Sequence, residues 1–587
     1  MVKLFKKFSK KDILFIVISI IMIIVQVYLD LKTPDYMSEI TQLVKTPGSQ
    51  IFDIWKNGIM MLVCSLGSLI LTIITGYFVA NVAANLSKNI RKEIFEKIES
   101  LGLHEVKEFS TSSLITRTTN DISQIQSFVA MGLQILVKAP VTAIWGIRKI
   151  LNKGWEWSAA TGIAVLVLLI AVALIVVFVL PKFKKVQKLT DKLNAKVREN
   201  ITGIRVVRAF NANKYLEDKF NDVNTDLIQT QLFIQKSFAV MQPLIYIVMY
   251  LLTLSIYLIG IKLINDALLT DKILIFGNMV VFSSYAMQII MSFLMLVMIF
   301  IMLPRAEVSA GRVKEVLETE NSIKDGNKGI AGVEEKGTIE FREVSFKYPD
   351  ASEYLLEKIS FKANKGETVA FIGSTGSGKS TLVNLIPRFY DATEGEVLVD
   401  GQNVKDYTQA ELRNRMSYIP QKAMLFDGTV KSNIMYGDNG KSKITQEKIE
   451  EALKVAQGEE FVLKMEGKYD ANISQGGTNI SGGQKQRLSI ARAIARNPEI
   501  YIFDDSFSAL DYKTDKILRK ALKEYTKDAT TLIVAQRIGT IMHADKIVVL
   551  DNGKCVGIGT HKELLKNCEV YKEIALSQLT KEELENA

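Results

Sequence analysis

The chain has 587 residues, a hydrophobic fraction of 48% and a formal net charge of +10. This length exceeds what one hydrophobic core supports, so a single small domain is excluded and at least two domains are expected. The positive charge does not require a nucleic-acid partner, because basic cytoplasmic loops beside anionic lipid explain its sign. The apolar residues are concentrated in the first half of the chain, which excludes a wholly soluble protein.

Six long apolar runs lie within the first 305 residues. Several are long enough as helices, at about 1.5 Å per residue, to cross a bilayer. A buried core helix is the alternative for any one run, but six of them leave too little polar surface to enclose them. The first run also resembles a signal peptide, yet it is too long for one and no cleavage site follows it. We therefore predict transmembrane helices at about residues 12–30, 57–82, 128–149, 158–181, 239–263 and 272–304.

Basic residues predict the orientation of these helices. A lysine cluster that includes Lys3 and Lys6 precedes the first run, and an even number of crossings places both chain ends in the cytoplasm. The basic segments that follow the second and fourth runs agree with this topology. Arg148, Lys149 and Lys153 lie at the predicted outer end of the third helix. We interpret them as interfacial side chains and regard a ligand site as the less favoured alternative.

The polar segments 85–129 and 181–239 keep a helical period, which predicts helices that extend from the bilayer into the cytoplasm. They would turn near residues 109–114 and 208–213, where they could press on the soluble part of the chain. We assign residues 1–310 to an all-α transmembrane domain, 311–336 to a linker and 337–587 to an α/β domain.

The soluble domain contains the stretch GSTGSGKS at residues 373–380, between the predicted strand ETVAFI and a predicted helix. This is the G-x-x-x-x-G-K-S phosphate loop in the context that it requires, so a chance match is the weaker alternative. Its backbone N–H groups would surround phosphate oxygens, Lys379 would reach the β- and γ-phosphates, and Ser380 would ligate Mg²⁺. The predicted ATP-binding residues of the loop are Gly373, Ser374, Thr375, Gly376, Ser377, Gly378, Lys379, Ser380 and Thr381.

Two adjacent acids follow a second buried strand in the stretch IYIFDDSFSALD. Asp504 ends that strand and would hold Mg²⁺ through a water molecule, as the second acidic element of a nucleotide site. Between the two motifs lies ISGGQKQRLSIARAIARNP, at residues 480–498. Gly482 and Gly483 would allow a ligand close to the backbone, and the N-terminus of the following helix favours an anion.

With SGGQ beside GSTGSGKS, the whole chain resembles the ABC transporter superfamily, and in particular exporters that fuse six membrane helices to one ATP-binding domain. The resemblance implies a P-loop NTPase domain of the ABC type. It implies that Tyr348 stacks on adenine, and that Gln421 senses Mg²⁺ and couples to the membrane domain. It also implies a loop at residues 508–511, ending in Asp511, that crosses between two sites. The signature residues, implied to contact the ATP of another subunit, are Ser481, Gly482, Gly483 and Gln484.

Two positions depart from the family pattern. Where the family has a catalytic glutamate, this chain has Asp505, whose carboxylate is drawn back by about 1.5 Å. A misplacement of that size can cost roughly a hundredfold in rate. Where the family has a histidine, this chain has Gln536, which can donate a hydrogen bond but cannot hold a proton. Together the departures predict a site that binds ATP and Mg²⁺ but hydrolyses ATP slowly.

The resemblance and the degenerate site together imply a heterodimer with a second half-transporter that carries the glutamate and the histidine. The expected role is export of hydrophobic compounds across a bacterial plasma membrane. Alternatives are a lipid or peptide exporter, an importer on an exporter-like scaffold, and an ATP-gated regulatory or channel-like protein. Gln288 is the best cavity candidate, because an amide that faces lipid is costly. The other candidates on the fifth and sixth helices are Tyr246, Tyr250, Thr253, Tyr257, Gly260, Ser284, Met291, Met295, Met298 and Met302.

Overall fold

The computed structural model describes residues 7–46, 48–151, 153–268, 271–327, 336–437 and 443–579. The chain divides into two compact units, of which the first comprises Met1–Ser100 and Phe109–Thr319. The second comprises Leu101–Glu108 and Glu320–Ala587. Lys3 and Lys6, residues 328–335 of the predicted linker and the last eight residues lie outside the described residues.

The first half of the chain is helical. Within the described residues, six helical segments are long and apolar enough to cross a membrane, as predicted. A π-helical segment, Arg117–Asp121, joins the short helix that follows residue 110 to the third of these long segments. The helices are α1 (Lys10–Lys45), α2 (Ile51–Ser100), α3 (Leu103–Phe109), α4 (Thr111–Thr116), α5 (Ile122–Leu151), α6 (Trp155–Thr202), α7 (Ile204–Ala209), α8 (Asn213–Asp266) and α9 (Lys272–Glu318).

Helix α1 shows how these segments form. Ser9 caps its N-terminus by accepting from the backbone N–H of Asp12, whose side chain accepts in return from Ser9. Ile23, Val27 and Leu31 recur at four-residue intervals, so they share one face and pack into the core of the first unit. Large apolar side chains on the other faces are exposed. An apolar outer surface is what a helix facing lipid requires.

The helices end at different places from those predicted. Helix α9 continues to Glu318, so residues 311–318 of the predicted linker are helical. Ala306, Ala310 and Val313 are buried at helical spacing, and this packing continues the helix past the apolar run. The chain turns at Ser110, between α3 and α4, and again between α7 and α8. Both turns lie where the sequence predicts them.

The second unit contains two main sheets. Its strands are β1 (Ile339–Phe346), β2 (Leu356–Ala363), β3 (Thr368–Gly373), β4 (Glu394–Val399), β5 (Gln402–Asn403), β6 (Met416–Ile419), β7 (Gly428–Thr429), β8 (Asn472–Ile473), β9 (Ile500–Asp504), β10 (Thr530–Val534), β11 (Lys546–Asp551) and β12 (Lys554–Gly559). The larger sheet has the order β12-β11-β3-β10-β9-β6, and its pairs are parallel except at β12. A smaller antiparallel sheet has the order β2-β1-β4-β5.

Among the described residues that follow the linker, the second unit contains ten α-helices. They are α10 (Lys379–Asn384), α11 (Gln409–Asn414), α12 (Val430–Ile434), α13 (Gln446–Val455), α14 (Glu459–Lys464), α15 (Gly482–Arg496), α16 (Tyr512–Tyr525), α17 (Ile538–Ile541), α18 (His561–Asn567) and α19 (Glu569–Leu576). Helix α3 also belongs to this unit, where Glu105 accepts from the backbone N–H of Ser322 at 3.0 Å.

The sheet order positions the nucleotide motifs. Strands β3 and β9 both pair in parallel with β10, so their carboxyl ends lie at the same edge of the sheet. All five residues of β9 are buried, which is typical of a central parallel strand covered on both faces. The phosphate loop follows β3, and the acidic pair stands at the end of β9. Ligands of open α/β sheets bind at such an edge.

Candidate functional site

The phosphate loop joins β3 to α10 through backbone that only glycine adopts readily. Gly376 and Gly378 have φ angles of +88° and +91°. A Cβ built on Gly378 would lie 2.6 Å from Cδ2 of Leu356, so a side chain there would be both strained and crowded. The two glycines therefore hold the tight loop that the motif predicts.

The side chain of Lys379 is hydrogen-bonded to the backbone of this loop. Its Nζ donates to the backbone oxygens of Gly373 at 2.9 Å and Ser374 at 2.7 Å. Burial lowers the pKa of Lys379, and the carboxylates of Asp505 and Asp504 oppose this effect. The ammonium is thus held at the loop, where phosphate oxygens would bind. Within the predicted loop, Ser377 and Thr381 are buried, whereas Ser374, Thr375 and Gly376 are exposed.

Asp504 is held by hydroxyl groups from two other elements. Ser380 donates to Oδ1 at 2.7 Å, and Tyr418, on β6, donates to Oδ2 at 2.8 Å. A hydroxyl and a carboxylate oxygen side by side are the hard ligands that Mg²⁺ prefers, and phosphates and water supply the remainder of its shell. Ser380 and Asp504 therefore fit the predicted metal. Sequence reasoning missed Tyr418, although the tyrosine lies only three residues before Gln421.

Asp505 has a different environment from its neighbour. Its Oδ2 accepts from Nε2 of Gln421 and from Nε2 of Gln536, each at 2.9 Å. Burial raises the pKa of Asp505, and the hydrogen bond from Gln421 opposes that rise. Asp505 and Gln536, the two residues at which the resemblance implies a departure from the family, are thus joined by a hydrogen bond. The Gln421 amide, predicted near Mg²⁺, bonds to Asp505.

The segment that carries Gln536 is fixed by a residue that the sequence did not reveal. The side chain of Gln578 donates to the backbone oxygen of Gln536 at 2.8 Å and accepts from the N–H of Ile538 at 2.8 Å. Gln578 lies more than forty residues further along the chain, after α19. No local pattern could have indicated this contact, because it depends on where the C-terminal segment packs.

Tyr348 lies half-buried at the edge of the same unit's core. Its ring packs edge-on against Phe346 and Tyr390, with centroids 5.0 Å and 5.3 Å away. Its hydroxyl lies 3.1 Å from the hydroxyl of Thr381, the last residue of the predicted phosphate-binding segment. The predicted adenine partner is therefore held close to the phosphate loop.

The signature segment forms the N-terminus of α15. Ser481 caps this helix, accepting from the backbone N–H of Gln484, and the Gln484 side chain accepts from the N–H of Ser481. Asp511 caps α16 in a similar way through the N–H of Thr514 at 2.9 Å, and this hydrogen bond lowers the pKa of Asp511. Within the described part of the chain, no hydrogen bond or ion pair joins the signature segment to the phosphate loop.

Two family models match the chain, one within each half. The model described as ABC transporter transmembrane region matches residues 14–293, and the model described as ABC transporter matches residues 356–508. The uncharacterized ABC transporter ATP-binding protein Mb1304c of Mycobacterium bovis is 38% identical over 88% of this chain and 87% of its own length. The chain belongs to the ABC transporter family. Its membrane-spanning and ATP-binding domains are fused, so it is a half-transporter.

Other ABC transporters share this arrangement. The putative multidrug export ATP-binding/permease protein YgaD of Bacillus subtilis is 33% identical over 85% of this chain and 84% of its own length. The solved structure titled "Structure of a bacterial Atm1-family ABC exporter with ATP bound" superposes with a TM-score of 0.82 at 23% identity. That match covers 95% of this chain and 98% of the other, and it confirms the predicted fold class.

Proposed function

We propose that this chain is the degenerate-site subunit of a heterodimeric ABC exporter that moves hydrophobic or amphipathic compounds out of a bacterial cell. The observation that carries this proposal is the double amide contact on Asp505, whose Oδ2 accepts from both Gln421 and Gln536. A general base must have a lone pair within reach of the attacking water. Here one oxygen of the carboxylate already accepts from two N–H donors, and the shorter side chain draws the whole carboxylate back from the position of a glutamate carboxylate.

ATP binding does not depend on that carboxylate. The phosphate loop presents its N–H groups and Lys379, while Ser380 and Asp504 would hold Mg²⁺. When bound, Mg²⁺ would neutralise charge on the phosphates. The site is therefore proposed to bind ATP firmly and to hydrolyse it slowly.

A partner subunit would carry out the ATP hydrolysis that the site of this chain performs only slowly. In the family arrangement, each ATP lies between the phosphate loop of one chain and the signature of the other. The signature of this chain is intact, and its capped helix N-terminus is exposed. It could therefore complete a competent site on a partner that carries the glutamate and the histidine. Closure of the two ATP-binding domains would then turn a membrane cavity from the cytoplasm to the outside.

The relatives support the direction of transport and the substrate class. The YgaD protein is named as a putative multidrug exporter, and a Staphylococcus aureus relative that is 32% identical carries the same description. We extend that role to this chain, with both chain ends in the cytoplasm as the lysine distribution predicts.

The deciding experiment is the ATPase rate of the chain alone and of the chain together with a half-transporter that carries the glutamate and the histidine. We expect the chain alone to be nearly inactive and the pair to be active. Asp505→Glu combined with Gln536→His should raise the rate of the chain alone by roughly a hundredfold, because the base regains its reach. If the unmodified chain alone matches the pair, the degenerate-site proposal is wrong.

A second variant tests the complementary half of the proposal. Ser481→Ala in this chain removes the cap at the signature and should lower the rate of the pair, although Ser481 takes no part in this chain's own phosphate loop. Ser432→Ala removes the hydroxyl of another serine, in the capping box of α12, and is the matched control. An unchanged rate with Ser481→Ala would contradict a shared site.

A further inference from the structure

A polar pocket lies among the helices of the transmembrane unit. Its volume is about 490 Å³, and eight of its eleven lining residues are polar or charged. Its charged members are Asp30 on α1 and Lys138 on α5, and Gln288 on α9 also lines it. Lys138 and Gln288 each fall in the middle of a long apolar run of sequence. Polar and ionisable side chains at such positions are costly, so they are expected to have a function.

The ion pair in this pocket is loose. Nζ of Lys138 lies 3.5 Å from Oδ2 of Asp30, and both side chains keep about a third of their exposure, at 31% and 35%. Asp30 also accepts from the hydroxyl of Ser68. Apart from Asp30, Lys138 has no ion-pair partner among the described residues, and the amide of Gln288 has no hydrogen bond there. Three polar groups of the pocket therefore retain bonding capacity.

A second ion pair in the same unit is built differently. Asp35 accepts from Nζ of Lys149 at Oδ2 and from the hydroxyl of Tyr285 at Oδ1, each at 2.5 Å. Lys153 also has a partner, because it donates to Asn278 at 3.0 Å. Lys149 and Lys153 thus have partners within the protein, only Arg148 of the three is exposed, and the interfacial interpretation of this basic group stays a prediction. This second pair already satisfies both carboxylate oxygens and does not line the pocket.

We propose that the polar pocket binds a zwitterionic amphiphile, with the anionic group of the ligand on Lys138 and its cationic group on Asp30. The inference rests on the proposed export function and names the substrate class for it. A ligand with a single charge would compensate one member of the pair and leave the other without a partner at membrane depth, which is costly. A zwitterion compensates both members at once.

The remaining lining suits the rest of such a ligand. Met291 and Met295 lie one helical turn apart on α9 and line the pocket together with Gln288. Flexible thioethers adapt to varied apolar shapes, and the amide can donate or accept a hydrogen bond beside the charges. Of the predicted cavity residues, Ser284 also lines this pocket, whereas Met298 and the tyrosines of α8 do not. Four of the predicted cavity residues thus line this pocket.

The test compares three fluorescent probes that share a dansyl body and a short alkyl chain. ε-Dansyl-lysine is a zwitterion, dansylcadaverine is a cation, and dansyl-aminohexanoate is an anion. The full chain is titrated in an uncharged maltoside detergent without ATP, alone and with its proposed partner. We expect the zwitterion to bind about tenfold more tightly than either other probe, as one additional charge-assisted contact implies. Equal binding of the three probes would overturn the proposal.

Substitutions at Asp30 and Lys138 test whether their ion pair causes the preference for the zwitterionic probe. Lys138→Gln and Asp30→Asn should each abolish it, whereas Arg148→Gln, which removes an exposed cation from the same helix, should leave it unchanged. The charge-exchanged double variant Asp30→Lys with Lys138→Asp should retain the preference. It also keeps the test valid if a single variant fails to fold. A preference that survives Lys138→Gln in folded protein would overturn the proposal.

A titration in lipid nanodiscs tests whether the zwitterionic ligand is a lipid headgroup or a water-soluble amphiphile. The titration is repeated in nanodiscs of phosphatidylcholine, which is zwitterionic, and of phosphatidylglycerol, which is anionic. Loss of probe binding in phosphatidylcholine alone indicates a lipid headgroup, and binding in both indicates a water-soluble amphiphile. Loss in phosphatidylglycerol alone would overturn the zwitterion assignment. Because ATP is absent, probe binding can succeed or fail independently of the ATPase experiment.

Discussion

The nucleotide site and the transmembrane pocket are both polar, but the chain builds them in different ways. At the nucleotide site, Lys379 and Ser380 lie in one eight-residue loop, and β9 delivers Asp504 to the same sheet edge. In the transmembrane unit, Asp30 and Lys138 lie on separate long helices, 108 positions apart in the chain. A short loop with obligatory glycines fixes its own geometry, whereas a contact between helices depends on how their apolar faces pack. We therefore expect the loop to respond to local changes and the helical unit to respond to changes in packing.

The largest expected effect is at the local site. Lys379→Met removes the ammonium that the loop surrounds and should weaken ATP binding about 100-fold, since hydrogen bonds to charged groups are worth about 1.5–3 kcal/mol. Titration of the purified chain with a fluorescent ATP analogue measures this change in affinity. Lys566→Met, which removes an exposed lysine from α18, is the matched control and should bind as the unmodified chain does. A change of less than about threefold for Lys379→Met would contradict the assigned role of the loop.

A substitution that strains the backbone of the same loop should have the next largest effect. Gly378→Ala adds a Cβ at φ +91° and 2.6 Å from Leu356, and should cost about 2–3 kcal/mol through strain and crowding. Gly401 also has a positive φ, at +75°, but a Cβ there meets no atom within 4 Å. Gly401→Ala should therefore cost only about 1 kcal/mol. Thermal unfolding of the two variants compares them, and equal losses would show that crowding contributes nothing.

In the helical unit, one hydroxyl joins two helices. Tyr285→Phe removes the donor to Asp35 and to the backbone oxygen of Leu31, and should destabilise the unit by about 1 kcal/mol. Tyr257→Phe, at an exposed tyrosine of α8, is the control and should have no effect. Thermal unfolding in detergent measures both variants. If the two variants unfold at the same temperature, the hydroxyl does not hold α1 against α9.

The smallest expected effect depends on pH and again concerns a local contact. His561 is buried, its Nδ1 lies 2.7 Å from the hydroxyl of Tyr571, and burial lowers its pKa. Below about pH 6.5 the unfolded chain binds a proton that the folded chain does not, so stability falls as the pH drops. The melting temperature should therefore fall by about 2 °C between roughly pH 7.5 and 5.5 through this group. His561→Gln should reduce that difference, and an unchanged difference would contradict the contribution of His561.

Sequence reasoning succeeded where the determining interactions are short in range. The phosphate loop and the turns near residues 110 and 210 lie where the sequence predicts them. It was less accurate where packing extends an element, as at α9, which continues through the first part of the predicted linker. It also missed Tyr418 and Gln578, because neither carries a pattern of its own and each acts through a distant partner.

The sequence by itself determined the family, the six apolar helices and the composition of the nucleotide site, because periodicity and loop motifs are local properties of the chain. The resemblance also implied that Asp505 and Gln536 depart from the family pattern. Only the tertiary structure showed that these two residues bond to each other, because strands β9 and β10 must first pair. Likewise, only the packing of α1 against α5 decided that Asp30 meets Lys138, since burial of apolar faces fixes which polar side chains become neighbours.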